Sequence, residues 1–178
     1  MKIKSVIFKS FKIFTIIIVF LILLFDVLIF IFSNCGFIFN KTKSMPIGLY
    51  KIENKELEKG DIVTFCLYDD QVKRYPSNGN DTCKDHNLPL LKEVVATKGD
   101  IVTINDYGIF VNNQYLPNSK PLNNKVKRAL LSNYRLKENE IIVKGTHINS
   151  WDSRYYGILD KNNILTVLSP FFVINFEY

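Results

Sequence analysis

A single membrane-spanning helix followed by a mainly β domain is the architecture the sequence predicts. Three observations predict it: one long apolar run near the amino terminus, a succession of short β-type runs after it, and turn formers at their ends. From Ile13 to Phe32 nearly every residue is Ile, Leu, Val or Phe, interrupted by Thr15 and Asp26. At 1.5 Å per residue this run spans roughly 30 Å, the thickness of a bilayer core. Lys2, Lys4, Lys9 and Lys12 precede it, so the positive-inside tendency holds that flank in the cytoplasm and sends the rest of the chain across. Asp26 would cost roughly 2.5 to 3.5 kcal/mol at the bilayer centre, but it lies towards the outer end, where water reduces the penalty. A cleaved secretory signal has a shorter apolar stretch, and the exit here, Ser33-Asn34-Cys35-Gly36, has a poor residue before Cys35 for lipoprotein processing, which favours an uncleaved anchor. We therefore expect residues 1–35 to be a basic cytoplasmic terminus plus anchor, and residues 36–178 one extracytoplasmic unit. The setting this implies is a single-pass protein of the bacterial inner membrane, its domain in the periplasm or exterior.

Past the anchor, β-type runs occur at Gly48–Ile52, Asp61–Tyr68, Leu90–Ala96, Ile101–Ile104, Ile109–Val111 and Glu140–Val143. A last run, Ile164–Phe176, is broken in prospect by Ser169-Pro170, because proline removes a ladder donor. Gly60-Asp61 and Gly99-Asp100 each lead into an Ile-Val pair, and Asn112-Asn113 suits a hairpin turn. Two polar stretches, 69–87 and 117–137, are expected as insertions or long loops, either of which can border a groove.

The net charge of +6 is spread along the chain, so it does not mark a nucleic-acid face. The aromatic residues, Trp151 among them, are most simply core or membrane-interface groups, and no nucleic-acid partner is expected. An exported domain can carry disulfides, and Cys66 and Cys83 bracket the first polar stretch; their pairing would steady the run that follows. A zinc site from Cys66, Cys83 and His86 lacks a fourth ligand, so no metal and no cofactor is expected.

Three segments carry the chemistry. Asn40-Lys41-Thr42-Lys43-Ser44-Met45-Pro46-Ile47-Gly48-Leu49-Tyr50 begins a few residues beyond the apolar run, which keeps Ser44 near the membrane surface. Pro89-Leu90-Leu91-Lys92-Glu93-Val94-Val95-Ala96 sets a lysine into an apolar strand; taken alone, that lysine points to solvent. Asn149-Ser150-Trp151-Asp152-Ser153-Arg154-Tyr155-Tyr156-Gly157 places Asp152 and Arg154 where they can pair.

In order and spacing these segments resemble the boxes of type I signal peptidases, most closely the branch that processes conjugative pilins. The resemblance covers roughly Thr42 to Gly157. It implies that Ser44 attacks the scissile carbonyl and that neutral Lys92 takes its proton. It further implies that Ser150 orients the lysine amine, that Asp152 and Arg154 form a supporting ion pair, and that Thr42 helps the Ser44 amide hold the oxyanion. Bringing a lysine from its ordinary pKa to half-neutral at pH 7 costs about 4.6 kcal/mol. Burial among Leu90, Leu91, Val94 and Val95 can supply that cost. His147 invites a Ser-His alternative, but no pattern of the family places a histidine there. Glu93, where a basic residue is common, and Thr146–Asn149, in place of a Gly-Asp-Asn opening, depart from the pattern.

The function implied is an endopeptidase maturing an exported preprotein or pilin through an acyl-enzyme, with the lipid bilayer as its second partner. Three alternatives remain open: a housekeeping preprotein peptidase, a self-cleaving repressor of similar chemistry, which the membrane span disfavours, and a non-catalytic envelope or secretion component.

Overall fold

The structure, a computed structural model, describes residues 2–34, 36–67, 83–84, 87–122 and 128–174. Tyr68, His86, most of the polar stretch 69–87 and the end of the last β-type run lie outside these residues. The chain divides into two compact units, Met1–Ile38 and Phe39–Tyr178.

The first unit is built on helix α1, Lys2–Asn34, which extends the apolar run at both ends. Side chains from Phe11 to Leu28 are all exposed, and this stretch is long and apolar enough to cross a membrane. Thr15 fits because its hydroxyl donates to the Phe11 carbonyl one turn back, at 2.9 Å.

The remainder is mainly β. The strands, in chain order, are β1 (Phe37–Asn40), β2 (Ile47–Glu53), β3 (Ile62–Phe65), β4 (Leu90–Ala96), β5 (Ile101–Asn105), β6 (Gly108–Val111), β7 (Gln114–Tyr115), β8 (Leu131–Arg135), β9 (Glu140–Lys144), β10 (Leu159–Asp160) and β11 (Ile164–Ile174). A one-turn helix α2, Ser153–Tyr156, lies between β9 and β10. One sheet runs β1-β2-β11-β3-β4-β9-β10; a smaller one runs β7-β6-β5-β8. Each has its own core: Val63, Phe65, Val94, Ile141, Val143 and Leu159 for the large sheet, Val102, Ile104, Ile109, Val111 and Ile142 for the small one.

Asn112 and Asn113 both take left-handed φ, 50° and 64°, and turn β6 into β7 as their types favour. Contrary to expectation, Ser169-Pro170 does not break the last strand. β3 pairs β11 only as far as Leu168, so Pro170 has β2 alone beside it, and the register shifts between Pro170 and Phe172. A bulge beyond the last two-sided pairing tolerates the missing donor. The same bulge explains Gly48: its φ is 149°, and a Cβ there would stand 2.1 Å from the Phe172 carbonyl oxygen.

Candidate active site

Lys92 lies on β4, opposite Val63 of β3. Strand alternation puts it on one face with Leu90 and Val94, both in or against the apolar core of the large sheet. The side chain is consequently buried, 2% exposed. Burial lowers its pKa to about 8, against a smaller upward pull from Asp152 and a downward push from Arg154. Nζ donates to the adjacent Leu91 carbonyl at 2.9 Å and stands 3.1 Å from Ser44 Oγ.

Ser44 sits on the loop between β1 and β2, and its own carbonyl fixes that loop. The oxygen accepts the Thr146 amide at 2.9 Å, with the Thr146 hydroxyl at 3.4 Å and the His147 amide at 3.5 Å. The chain leaving β9 thus holds the serine through its backbone. Gly145, just before these donors, has no room for a side chain: a Cβ would meet Ser150 Oγ at 2.0 Å and the Ser44 carbonyl at 2.6 Å.

Gly145 is in turn fastened to the third segment, its amide donating to Asp152 at 2.9 Å. Asp152 caps α2 through the Arg154 amide and receives Arg154 Nε at 2.7 Å and the second guanidinium nitrogen at 2.9 Å. Both side chains are fully buried. The remaining guanidinium nitrogen donates to the Ile148 carbonyl at 2.6 Å and the Lys120 carbonyl at 3.3 Å. A buried pair needs such further bonds to offset desolvation. Ser153, also buried, accepts the Val143 amide of β9 at 3.0 Å and ties α2 to the sheet.

Five of the residues singled out in the sequence therefore converge: Ser44, Lys92, Thr42, Asp152 and Arg154. Ser150 is buried nearby, yet among the described residues its Oγ has no hydrogen-bond partner, and the lysine amine is held by Leu91 instead. Thr42 Oγ1 is 3.4 Å from Ser44 Oγ. Glu93 has a compensating neighbour: it lies opposite Lys144 in the β4–β9 ladder, burial raising the acid and lowering the base while each charge eases the other. Cys66 and Cys83 are joined in a disulfide that links the end of β3 to the chain entering β4. Trp151 stacks flat on Tyr155, ring centres 4.5 Å apart. Sequence reasoning attached no role to Gly145 or to Asn40, although Asn40 opens the first segment.

A desolvated amine within hydrogen-bond reach of a loop serine, on a β scaffold, is an arrangement that serine-type acyl transfer can use. The chain belongs to the signal peptidase family, peptidase S26, whose sequence profile matches residues 9–172. The plasmid transfer protein TraF of Escherichia coli is 34% identical over 143 residues, 74% of this chain and 79% of that protein. The conjugal transfer protein TraF of Agrobacterium tumefaciens (strain 15955) is 26% identical over 151 residues, covering 79% and 84% of the two chains. Among solved structures, a signal peptidase I from Enterococcus faecalis V583 is similar with a TM-score of 0.40 and 20% identity, over 66% of this chain and all of that one.

Proposed function

We propose that this protein is a single-pass endopeptidase of the bacterial cytoplasmic membrane that matures an exported protein, a conjugative pilin before other preproteins. Ser44 Oγ attacks the scissile carbonyl carbon while its proton passes to neutral Lys92, and an ester forms. The resulting ammonium returns the proton to the departing amine as the peptide bond breaks. Water, or an amine of the substrate itself, then attacks the ester, its proton moving to Lys92 and on to Ser44 Oγ as the ester C–O bond breaks, which restores the serine and the neutral lysine. The observation that carries this reading is the buried Lys92 amine 3.1 Å from Ser44 Oγ. The choice of pilin rests on the likeness to two TraF proteins of plasmid and conjugal transfer.

The basic flank of α1 supports an inward amino terminus, and the Cys66–Cys83 disulfide suits an oxidising exterior. Thr42 and the Asp152–Arg154 pair support the dyad, the pair by fastening Gly145, next to the Thr146 amide that holds the serine, while Ser150 lies buried beside Gly145.

The test is co-expression with a candidate conjugative pilin precursor. Wild type should process it, and Ser44→Ala and Lys92→Ala should both leave it at full length. Processing retained in either variant overturns the assignment and favours a non-catalytic envelope role.

A further inference from the structure

Asn40 is the last residue of β1, and its side chain is buried, 7% exposed. Among the described residues, its side-chain bonds all go to the loop that carries Ser44. Nδ2 donates to the carbonyls of Thr42 at 2.9 Å, Met45 at 3.1 Å and Pro46 at 2.9 Å, two protons serving three acceptors. Oδ1 accepts the Thr42 amide at 3.0 Å and the Thr42 hydroxyl at 2.8 Å. The amide N–H of Thr42 can only donate, which fixes which end of the Asn40 amide is oxygen. The Pro46 carbonyl is held a second time by the hydroxyl of buried Tyr50, at 2.7 Å.

A threonine hydroxyl has one proton. Here that proton is committed to Asn40, so the oxygen of Thr42 faces Ser44 Oγ, 3.4 Å away, as an acceptor. In that state Thr42 cannot donate to an oxyanion. Rotation about its Cβ–Oγ bond alone would redirect the proton, leaving every heavy atom in place. Asn40 Oδ1 would still hold the Thr42 amide and so would not be orphaned, which keeps the exchange inexpensive.

We propose that Asn40 is a positioning residue that holds the Thr42 hydroxyl in register beside Ser44 and releases its proton when negative charge develops on the substrate carbonyl. The inference rests on the peptidase reading above, with Thr42 as an oxyanion donor, and it assigns Asn40 a role exerted through Thr42.

The test is a double-mutant cycle of Asn40→Ala and Thr42→Val in the full-length enzyme, following kcat and KM on a cleavable precursor peptide. Loss of one oxyanion donor costs on the order of a hundredfold or more in kcat. Thr42→Val should show that loss, Asn40→Ala a loss of about tenfold or more, each with KM nearly unchanged. The double variant should be no more than about threefold slower than Thr42→Val alone. Losses that multiply mean that Asn40 only stiffens the loop, and wild-type kcat in either single variant also overturns the proposal. If circular dichroism shows Asn40→Ala unfolded, Asn40→Leu, which keeps the size and removes the acceptor oxygen, runs the same cycle under the same criteria. Ser44→Ala separates the two levels: an active Ser44→Ala enzyme sinks the peptidase reading itself, whereas an inactive one beside a fully active Thr42→Val sinks only this inference.

Discussion

Lys92 Nζ stands 3.1 Å from Ser44 Oγ, although the two residues are 48 positions apart and belong to different elements, a central strand and a loop. What brings them together is mostly backbone. Asn40 shapes the loop, the amides of Thr146 and His147 hold the Ser44 carbonyl, and the Asp152–Arg154 pair fastens Gly145 in front of those amides. The lysine needs little guidance, since its strand buries it.

A buried lysine is a stability cost. Its pKa is about 8 in the folded protein against 10.5 ordinarily, so between those values the unfolded chain binds more protons and stability rises with pH. Below about pH 8 the full cost is present. Lys92→Met should therefore be inactive yet more stable at pH 7, by about 1–3 kcal/mol. Urea unfolding at pH 7 and pH 10 checks this, the gain being smaller at pH 10.

Asp152 and Arg154 pull Lys92 in opposite directions, the acid raising its pKa and the guanidinium lowering it. Asp152→Asn should move the inflection of the pH–rate profile to lower pH and Arg154→Gln to higher pH. Each breaks a buried pair and should lower stability by about 3–5 kcal/mol, measured by thermal unfolding.

Gly145→Ala should damage activity more than stability. The added Cβ cannot coexist with Ser150 Oγ at 2.0 Å or the Ser44 carbonyl at 2.6 Å, so the Ser44 loop must shift. A displacement near 1 Å at a reacting group costs on the order of a hundredfold in rate. Steady-state kinetics beside a thermal melt separates the two effects.

The Cys66–Cys83 bridge closes a loop across 17 positions. Replacing both cysteines by serine should lower stability by about 3 kcal/mol. Peptide mapping without reductant should recover the two cysteines joined in wild type.

The parts of this fold legible in the sequence were those written locally. The apolar helix, the strand around Lys92 and the Asn112-Asn113 turn each carry their own pattern. β8 did not, because Leu131–Arg135 is polar and mostly exposed, and it fell inside a stretch expected as loop. Pro170 looked like a break because its tolerance depends on where β3 stops, a tertiary fact. In the site, Ser44 and Lys92 were legible through the company of three segments, whereas Gly145 is explained only by what it touches. Asn40 differs: among the described residues its side-chain partners lie within six positions, so an asparagine bonding to the backbone just ahead was a local signal available in the sequence.

The central claim is that Lys92, neutral, is the base for Ser44. The most direct measurement is the pH dependence of the first-turnover cleavage rate from pH 6 to pH 10.5. The rate should rise and level off with an inflection near the Lys92 pKa of about 8, and Lys92→Met should show no turnover at any pH. A rate still climbing at pH 10, or cleavage by Lys92→Met at the wild-type rate, would contradict the account.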